Sequence, residues 1–169
     1  MNIASIKTSN HWKVFIFIFC LLGFNSIAYA ETITGRVVGV SNGDTLTLLD
    51  ASKTQVKIRL AAIDAPEKAQ PFGNRSKQQL STLCFEQQAI VEVVDKDRYG
   101  RSVGIVICDG VNANETMLSR GMAWVYRQYA KGLEHYNVLE KEAKLSQTGL
   151  WMDANPMPPW EWRRTIRSN

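Results

Sequence analysis

Arg59, Asp64 and Glu67 fall within one short run, Arg59-Leu60-Ala61-Ala62-Ile63-Asp64-Ala65-Pro66-Glu67, which places a guanidinium and two carboxylates around an apolar stretch. Asp44 stands upstream beside an Asn42-Gly43 turn signal, and Arg101 follows the charged turn Asp95-Lys96-Asp97-Arg98-Tyr99-Gly100. These residue types suit chemistry at a phosphate. Carboxylates and main-chain carbonyls are the ligands a hard divalent cation such as calcium takes. Asp44, Asp64 and the carbonyl of Ala65 could supply such oxygens, and Glu67 could hold or activate a water. Arginine forks match phosphate oxygens and stabilise charge developing at phosphorus. Each position also has a plainer reading: Asp44 as a turn residue, and Asp64 and Glu67 as solvated charges at a strand end.

The elements that must position these groups follow from periodicity. Alternate residues of a strand share a face, so Arg59, Ala61 and Ile63 are expected on one side and Leu60, Ala62 and Asp64 on the other. Pro66 cannot donate to a ladder and ends that strand by Ala65. Upstream, 33–40, 45–49 and 54–59 read as a three-strand meander, with both positions of Asn42-Gly43 able to take positive φ. Residues 73–85 read as a helix on the stripe Leu80, Leu83 and Cys84. Strands follow at 89–94 and 103–108, then a helix over 115–120 capped by Asn112 or Asn114 and stopped by Gly121. A last helix is expected over 133–146, with His135 on its surface. The fold class is α+β, mainly β: a five-stranded OB-type barrel with about three helices.

The first thirty residues carry Lys7 and Lys13, an apolar core over 14–24 and Ala28-Tyr29-Ala30, the pattern of a cleaved secretory signal peptide. An uncleaved anchor is the alternative. Export to the periplasm or medium is expected, with no membrane contact after cleavage. The chain's 20 basic and 16 acidic residues lose those two lysines, leaving 18 against 16, net +2. So slight a basic excess permits a polyanionic partner without requiring one. Cys84 and Cys108 are the cysteines left, and export favours their pairing over two buried free thiols. The domain is expected over 31–152. A tail over 153–169, with Pro156-Met157-Pro158-Pro159, is expected to pack irregularly, its Arg163, Arg164 and Arg167 solvated.

Asn42-Gly43-Asp44-Thr45, Ile58-Arg59-Leu60, Ile63-Asp64-Ala65-Pro66-Glu67 and Asp97-Arg98-Tyr99-Gly100-Arg101 occur in an order and at spacings that resemble the staphylococcal nuclease (thermonuclease) family. Ser119-Arg120-Gly121-Met122-Ala123-Trp124-Val125 and Gly149-Leu150-Trp151 resemble its second half. The resemblance implies a calcium-dependent phosphodiesterase that acts as a monomer on DNA and RNA and leaves 3′-phosphate ends. It makes Asp44, Asp64 and the Ala65 carbonyl the ligands of one calcium. Arg59, Glu67 and Arg101 become the catalytic groups, with Arg101 at the leaving 5′ oxygen, and Tyr99 a substrate contact. Tyr129 is a further candidate for stacking on bases, whereas Trp124 and Tyr126 suit a core as well. Two departures stand out: Asn42 where the staphylococcal enzyme has a further aspartate, and Ala65 where it has threonine. A non-catalytic nucleic-acid-binding module and a secreted structural domain are the rival readings. Retention of the whole charged set speaks against the first, and no residue pattern supports the second.

Overall fold

The computed structural model describes residues 31–168. The proposed signal peptide lies outside the described residues. Five strands, β1 (Thr32–Asn42), β2 (Thr45–Asp50), β3 (Gln55–Leu60), β5 (Gln88–Lys96) and β6 (Ser102–Cys108), run in the order β3-β2-β1-β5-β6. The sheet closes on itself where β6 pairs parallel with β3, Arg59 opposite Val103. This is the expected barrel. Alternation along β6, with Ser102, Gly104, Val106 and Cys108 buried and the residues between them partly exposed, marks a strand with one face to the core. Val37, Leu46, Leu48, Ile58, Leu60, Val91 and Val106 fill the interior at 0% exposure, each contributing about 1.5–3 kcal/mol relative to an exposed side chain.

The run after Arg59 departs from a simple strand. β3 stops at Leu60, the chain turns through Ala61-Ala62, and a separate two-residue strand β4 (Ile63–Asp64) pairs with β8 (Trp124–Val125). Ala62 has φ +59°, a left-handed conformation that costs an alanine about 1 kcal/mol. Tertiary bonds hold it: Ala61 N–H donates to Gly104 O at 2.8 Å and Tyr126 N–H to Ala62 O at 2.8 Å. Asn114, fully buried, spans the turn and the barrel. Its Nδ2 donates to Ala61 O (3.0 Å), and its Oδ1 accepts from Val106 N–H (2.9 Å). The expected alternation over 59–64 therefore fails, because tertiary hydrogen bonding reverses the chain inside it.

The first hairpin also differs from expectation. Asn42 pairs with Thr45, so the turn residues are Gly43 and Asp44, and neither has positive φ. Gly43 is required for space: a Cβ there would lie 1.8 Å from Ser76 Oγ and 2.9 Å from Ala65 Cβ.

Helix α1 (Gly73–Cys84) follows the loop after β4, and Cys84 at its end is disulfide-bonded to Cys108 at the end of β6. Asn112, at the end of the short strand β7 (Val111–Asn112), caps α2 (Ala113–Ser119) by accepting from Glu115 N–H, and Gly121 follows the C-cap at φ +59°. Asn114 is thus a bridge rather than the cap. Helix α3 (Tyr136–Leu145) covers α2, and Glu140 on it is 1% exposed. Its carboxylate accepts from Val125 N–H, Arg127 and Lys144.

The tail corrects the sequence reading most. Pro159–Arg167 form a regular helix, α4, the fourth, with Pro159 in its first turn where a missing N–H costs nothing. Trp160 stacks on Tyr126 (5.7 Å, 7° between planes) and meets Trp124 edge-on at 5.9 Å. It thereby joins α4 to the small second core of Trp124, Ala143, Leu150 and Trp151.

Candidate active site

β2, β3 and β6 lie side by side, with Arg59 opposite Thr45 on one flank and Val103 on the other. That register brings together side chains far apart in sequence. Asp44 is 1% exposed. Its Oδ1 accepts from Thr45 Oγ1 at 2.8 Å, and its Oδ2 accepts from Ala65 N–H at 3.1 Å. Asn42 Oδ1 accepts from the Asp44 N–H at 3.3 Å, a local turn contact. Arg59 forks between the two aspartates: one terminal nitrogen is 3.1 Å from Asp44 Oδ2, the other 3.0 Å from Asp64 Oδ1. Asp64 is 1% exposed as well. The turn at Ala62 makes the second contact possible.

Electrostatics at this pair are tightly balanced. Burial pushes the Asp44 carboxyl up, Arg59 draws it down and Asp64 pushes it up again, with a raised value as the result. Burial opposes the charge on Arg59, and the two aspartates more than offset this, so its guanidinium is held charged.

Arg101 reaches the same place from the other flank. Its Nε donates to Asp97 Oδ2 at 2.7 Å and a terminal nitrogen donates to Thr45 Oγ1 at 3.4 Å, connecting it through Thr45 to Asp44. Burial pushes the Asp97 carboxyl up, but the Arg101 amide and guanidinium and the Tyr99 amide outweigh it, leaving Asp97 below the ordinary carboxylate range. Tyr99 is 69% exposed with Arg98 and Arg101 against its ring, and Tyr129 is 60% exposed. Both tyrosines, with Arg59, Glu67 and Arg101, line a cleft of about 1030 Å³. Trp124 is buried in the second core, whereas Tyr126 is half-buried, stacked on Trp160, and also lines the cleft. His135 is exposed, lies 3.2 Å from Glu115 and is not among the residues lining the cleft.

Glu67 also lies at the cleft, half-buried, and its partner is a residue that sequence reasoning left in solvent. Arg163 of α4 donates to Glu67 Oε1 at 2.8 Å and to Asp64 Oδ2 at 2.7 Å. Burial opposes its charge, and the bonds to Asp64 and Glu67 more than compensate, holding the guanidinium ionised. The signal was present in the tail: Pro159 as a helix start, then Trp160, Arg163 and Arg167 at spacings of three and four, one helical face. Thr45 and Asp97, which orient Asp44 and Arg101, stand inside the same sequence motifs as the residues they hold.

The donor set suits a hard cation in kind: the two buried carboxyl groups of Asp44 and Asp64, with Glu67 beside them, face the guanidiniums of Arg59 and Arg163. Among the described residues no cluster of three or more histidine, cysteine, aspartate or glutamate side chains forms a ready ligand cage. A cation here would rely on Asp44 and Asp64 together with carbonyl oxygen and water, as calcium and magnesium sites do.

The family model described as staphylococcal nuclease homologue matches residues 57–153. The chain belongs to the staphylococcal nuclease family. An endonuclease of Haemophilus influenzae, named as uncharacterized, is 42% identical over 139 residues, 82% of this chain and 78% of its own length. One of Escherichia coli with the same name is 46% identical over 132 residues, covering 78% and 85%. A micrococcal nuclease of Shigella flexneri is 40% identical over 144 residues, covering 79% and 82%. For this staphylococcal nuclease homologue, Arg59, Asp64, Glu67 and Arg101 fall inside the family match. Asp44 precedes it, and the whole of α4 follows it.

Proposed function

We propose that this staphylococcal nuclease homologue is an exported, calcium-dependent endonuclease that hydrolyses DNA and RNA with little sequence or sugar preference and leaves 3′-phosphate ends. The observation that carries the reading is the pair of buried carboxylates, Asp44 and Asp64, forked by Arg59 at the wall of a cleft that also presents Glu67 and Arg101. Asp44, Asp64 and the carbonyl of Ala65 would hold one calcium, which supplies Lewis-acid polarisation and a fixed point for the phosphate. The chain's own groups do the rest. Arg59 and Arg101 approach the phosphate from two flanks, and their forks stabilise the extra negative charge on its oxygens as the transition state forms. Glu67 accepts a proton from a water or orients it toward phosphorus. The water oxygen bonds to phosphorus as the bond to the 5′ oxygen breaks, that oxygen gains a proton, and the phosphate stays on the 3′ side. Tyr99 and Tyr129, exposed along the cleft, offer faces on which bases of any sequence can stack.

The test is cleavage of single- and double-stranded DNA and RNA by the chain from Glu31, in calcium and in EGTA, beside Glu67→Ala. Cleavage of both polymers that needs calcium and falls at least about a hundredfold in the variant is expected. A folded protein that binds these polymers but cuts none of them with any divalent cation is a binding module instead.

A further inference from the structure

Arg163 takes hydrogen bonds into the two groups that the nuclease reading needs most. Its contacts are Asp64 Oδ2 at 2.7 Å, Asp64 Oδ1 at 3.3 Å and Glu67 Oε1 at 2.8 Å. Asp64 is buried while Arg163 and Glu67 are partly exposed, and a charge-assisted fork onto a buried carboxylate is stronger than a pair between two exposed groups. The placement is built rather than incidental. Trp160 stacks on Tyr126 one turn before Arg163, and Gln70 Nε2 donates to Met157 O at 2.6 Å. Gln70 Oε1 in turn accepts from the N–H of Glu67 at 3.1 Å. The segment leading into α4 is thus tied to the loop that carries Glu67, and α4 delivers its guanidinium to that loop.

Arg59 holds Asp64 Oδ1 at 3.0 Å and Arg163 holds Oδ2 at 2.7 Å, so a cation taking oxygen from Asp64 meets a carboxylate engaged at both oxygens, and like charges repel at short range. We propose that Arg163 is a second resident counter-charge of this site beside Arg59: it holds Asp64 and Glu67 in place without a divalent cation, and cation binding displaces it from Asp64. The inference rests on the calcium reading above. Because coupling is reciprocal, whatever weakens the docking of α4 tightens the cation, and the cation loosens α4.

The sign of the effect separates this role from a merely structural one. Loss of a structural residue weakens a metal site or leaves it unchanged, whereas loss of a competitor strengthens it. Calcium is titrated calorimetrically, without nucleic acid, into the chain from Glu31 as wild type, Arg163→Gln, Arg163→Lys and Trp160→Ala. Arg163→Gln is expected to bind calcium about tenfold more tightly, the factor that corresponds to one charge-assisted hydrogen bond. Arg163→Lys, which keeps the charge, should stay near wild type. Trp160→Ala, which undocks α4 and leaves every charge in place, should tighten binding in the same direction. Unchanged or weaker binding by both Arg163→Gln and Trp160→Ala overturns the counter-charge role and leaves the calcium reading standing. Absence of calcium binding by all four proteins overturns both.

Discussion

Arg101 Nε donates to Asp97 Oδ2 at 2.7 Å across the tight turn that joins β5 to β6. The same aspartate accepts the amides of Tyr99 and Arg101 with its other oxygen. One carboxylate therefore folds the turn and aims the arginine, so the charged turn is a mount for a cleft residue rather than a solvated face.

Asp97→Asn should lower the nuclease kcat by about tenfold or more through misplacement of Arg101, with a modest drop in the melting temperature near neutral pH, where the ionised carboxylate contributes fully. The acid side of the stability curve should change as well. The folded Asp97 carboxyl ionises below its ordinary value, so folding favours its charged form. That contribution is complete above about pH 4 and disappears as pH falls through the folded value. Chemical denaturation at a series of pH values should show a shallower acid loss in the variant than in wild type. An identical acid slope would remove Asp97 from this account.

Arg59→Ala and Arg101→Ala should both reduce turnover by about a hundredfold or more, but they should differ in stability. Arg101 is anchored at the cleft wall and its loss leaves no buried charge unpaired. Removing Arg59 strips the fork from two carboxylates that are each 1% exposed, at a cost of about 3 kcal/mol. Thermal melts distinguish them: a clear drop for Arg59→Ala and almost none for Arg101→Ala. Equal melting temperatures would show that Asp44 and Asp64 do not depend on Arg59.

Cys84→Ser with Cys108→Ser should lower stability by about 3 kcal/mol, because the bridge closes a segment of 24 residues in the unfolded chain. Neither cysteine lines the cleft. Activity well below the melting temperature should therefore match wild type, and reductant should reproduce the stability loss in wild type alone.

Asn114→Ala should cost about 2 kcal/mol, since it leaves the Val106 N–H and Ala61 carbonyl without their side-chain partner. Its distinguishing feature is a second effect. The Ala61-Ala62 turn fixes the distance between Arg59 and Asp64, so activity should fall by more than the change in folded fraction accounts for. An activity loss matching the unfolded fraction alone would make Asn114 a purely structural bridge.

The barrel was legible because its strands carry strong local signals: β-branched runs with turn residues between them. The charged set was legible because family motifs lie in register with it. Three features were hidden for physical reasons. The reversal at Ala62 places an alanine in the left-handed region, which no local preference suggests, and it depends on Gly104, Tyr126 and Asn114 from distant segments. Gly43 looked like a conformational glycine, yet it is a spatial one, since the close approach of Ser76 exists only after α1 packs. Arg163 lay in a proline-rich stretch whose prolines suggested irregular chain. There Pro158 and Pro159 start a helix instead of ending one, and only tertiary docking through Trp160 shows where its arginine goes.

The parallel seam between β3 and β6 bears on how this molecule comes into being. Ile58 to Leu60 meet Ser102 to Gly104 across it, and these partners are separated by a helix and a full strand of intervening chain. Such a contact belongs to the slow, long-range part of folding. Until it closes, Arg59 and Arg101 sit on separate pieces, and a chain already rich in strand and helix does not yet present both arginines to one cleft. Catalytic competence in a newly made chain should therefore lag behind the appearance of secondary structure, arriving with the last stitch of the barrel.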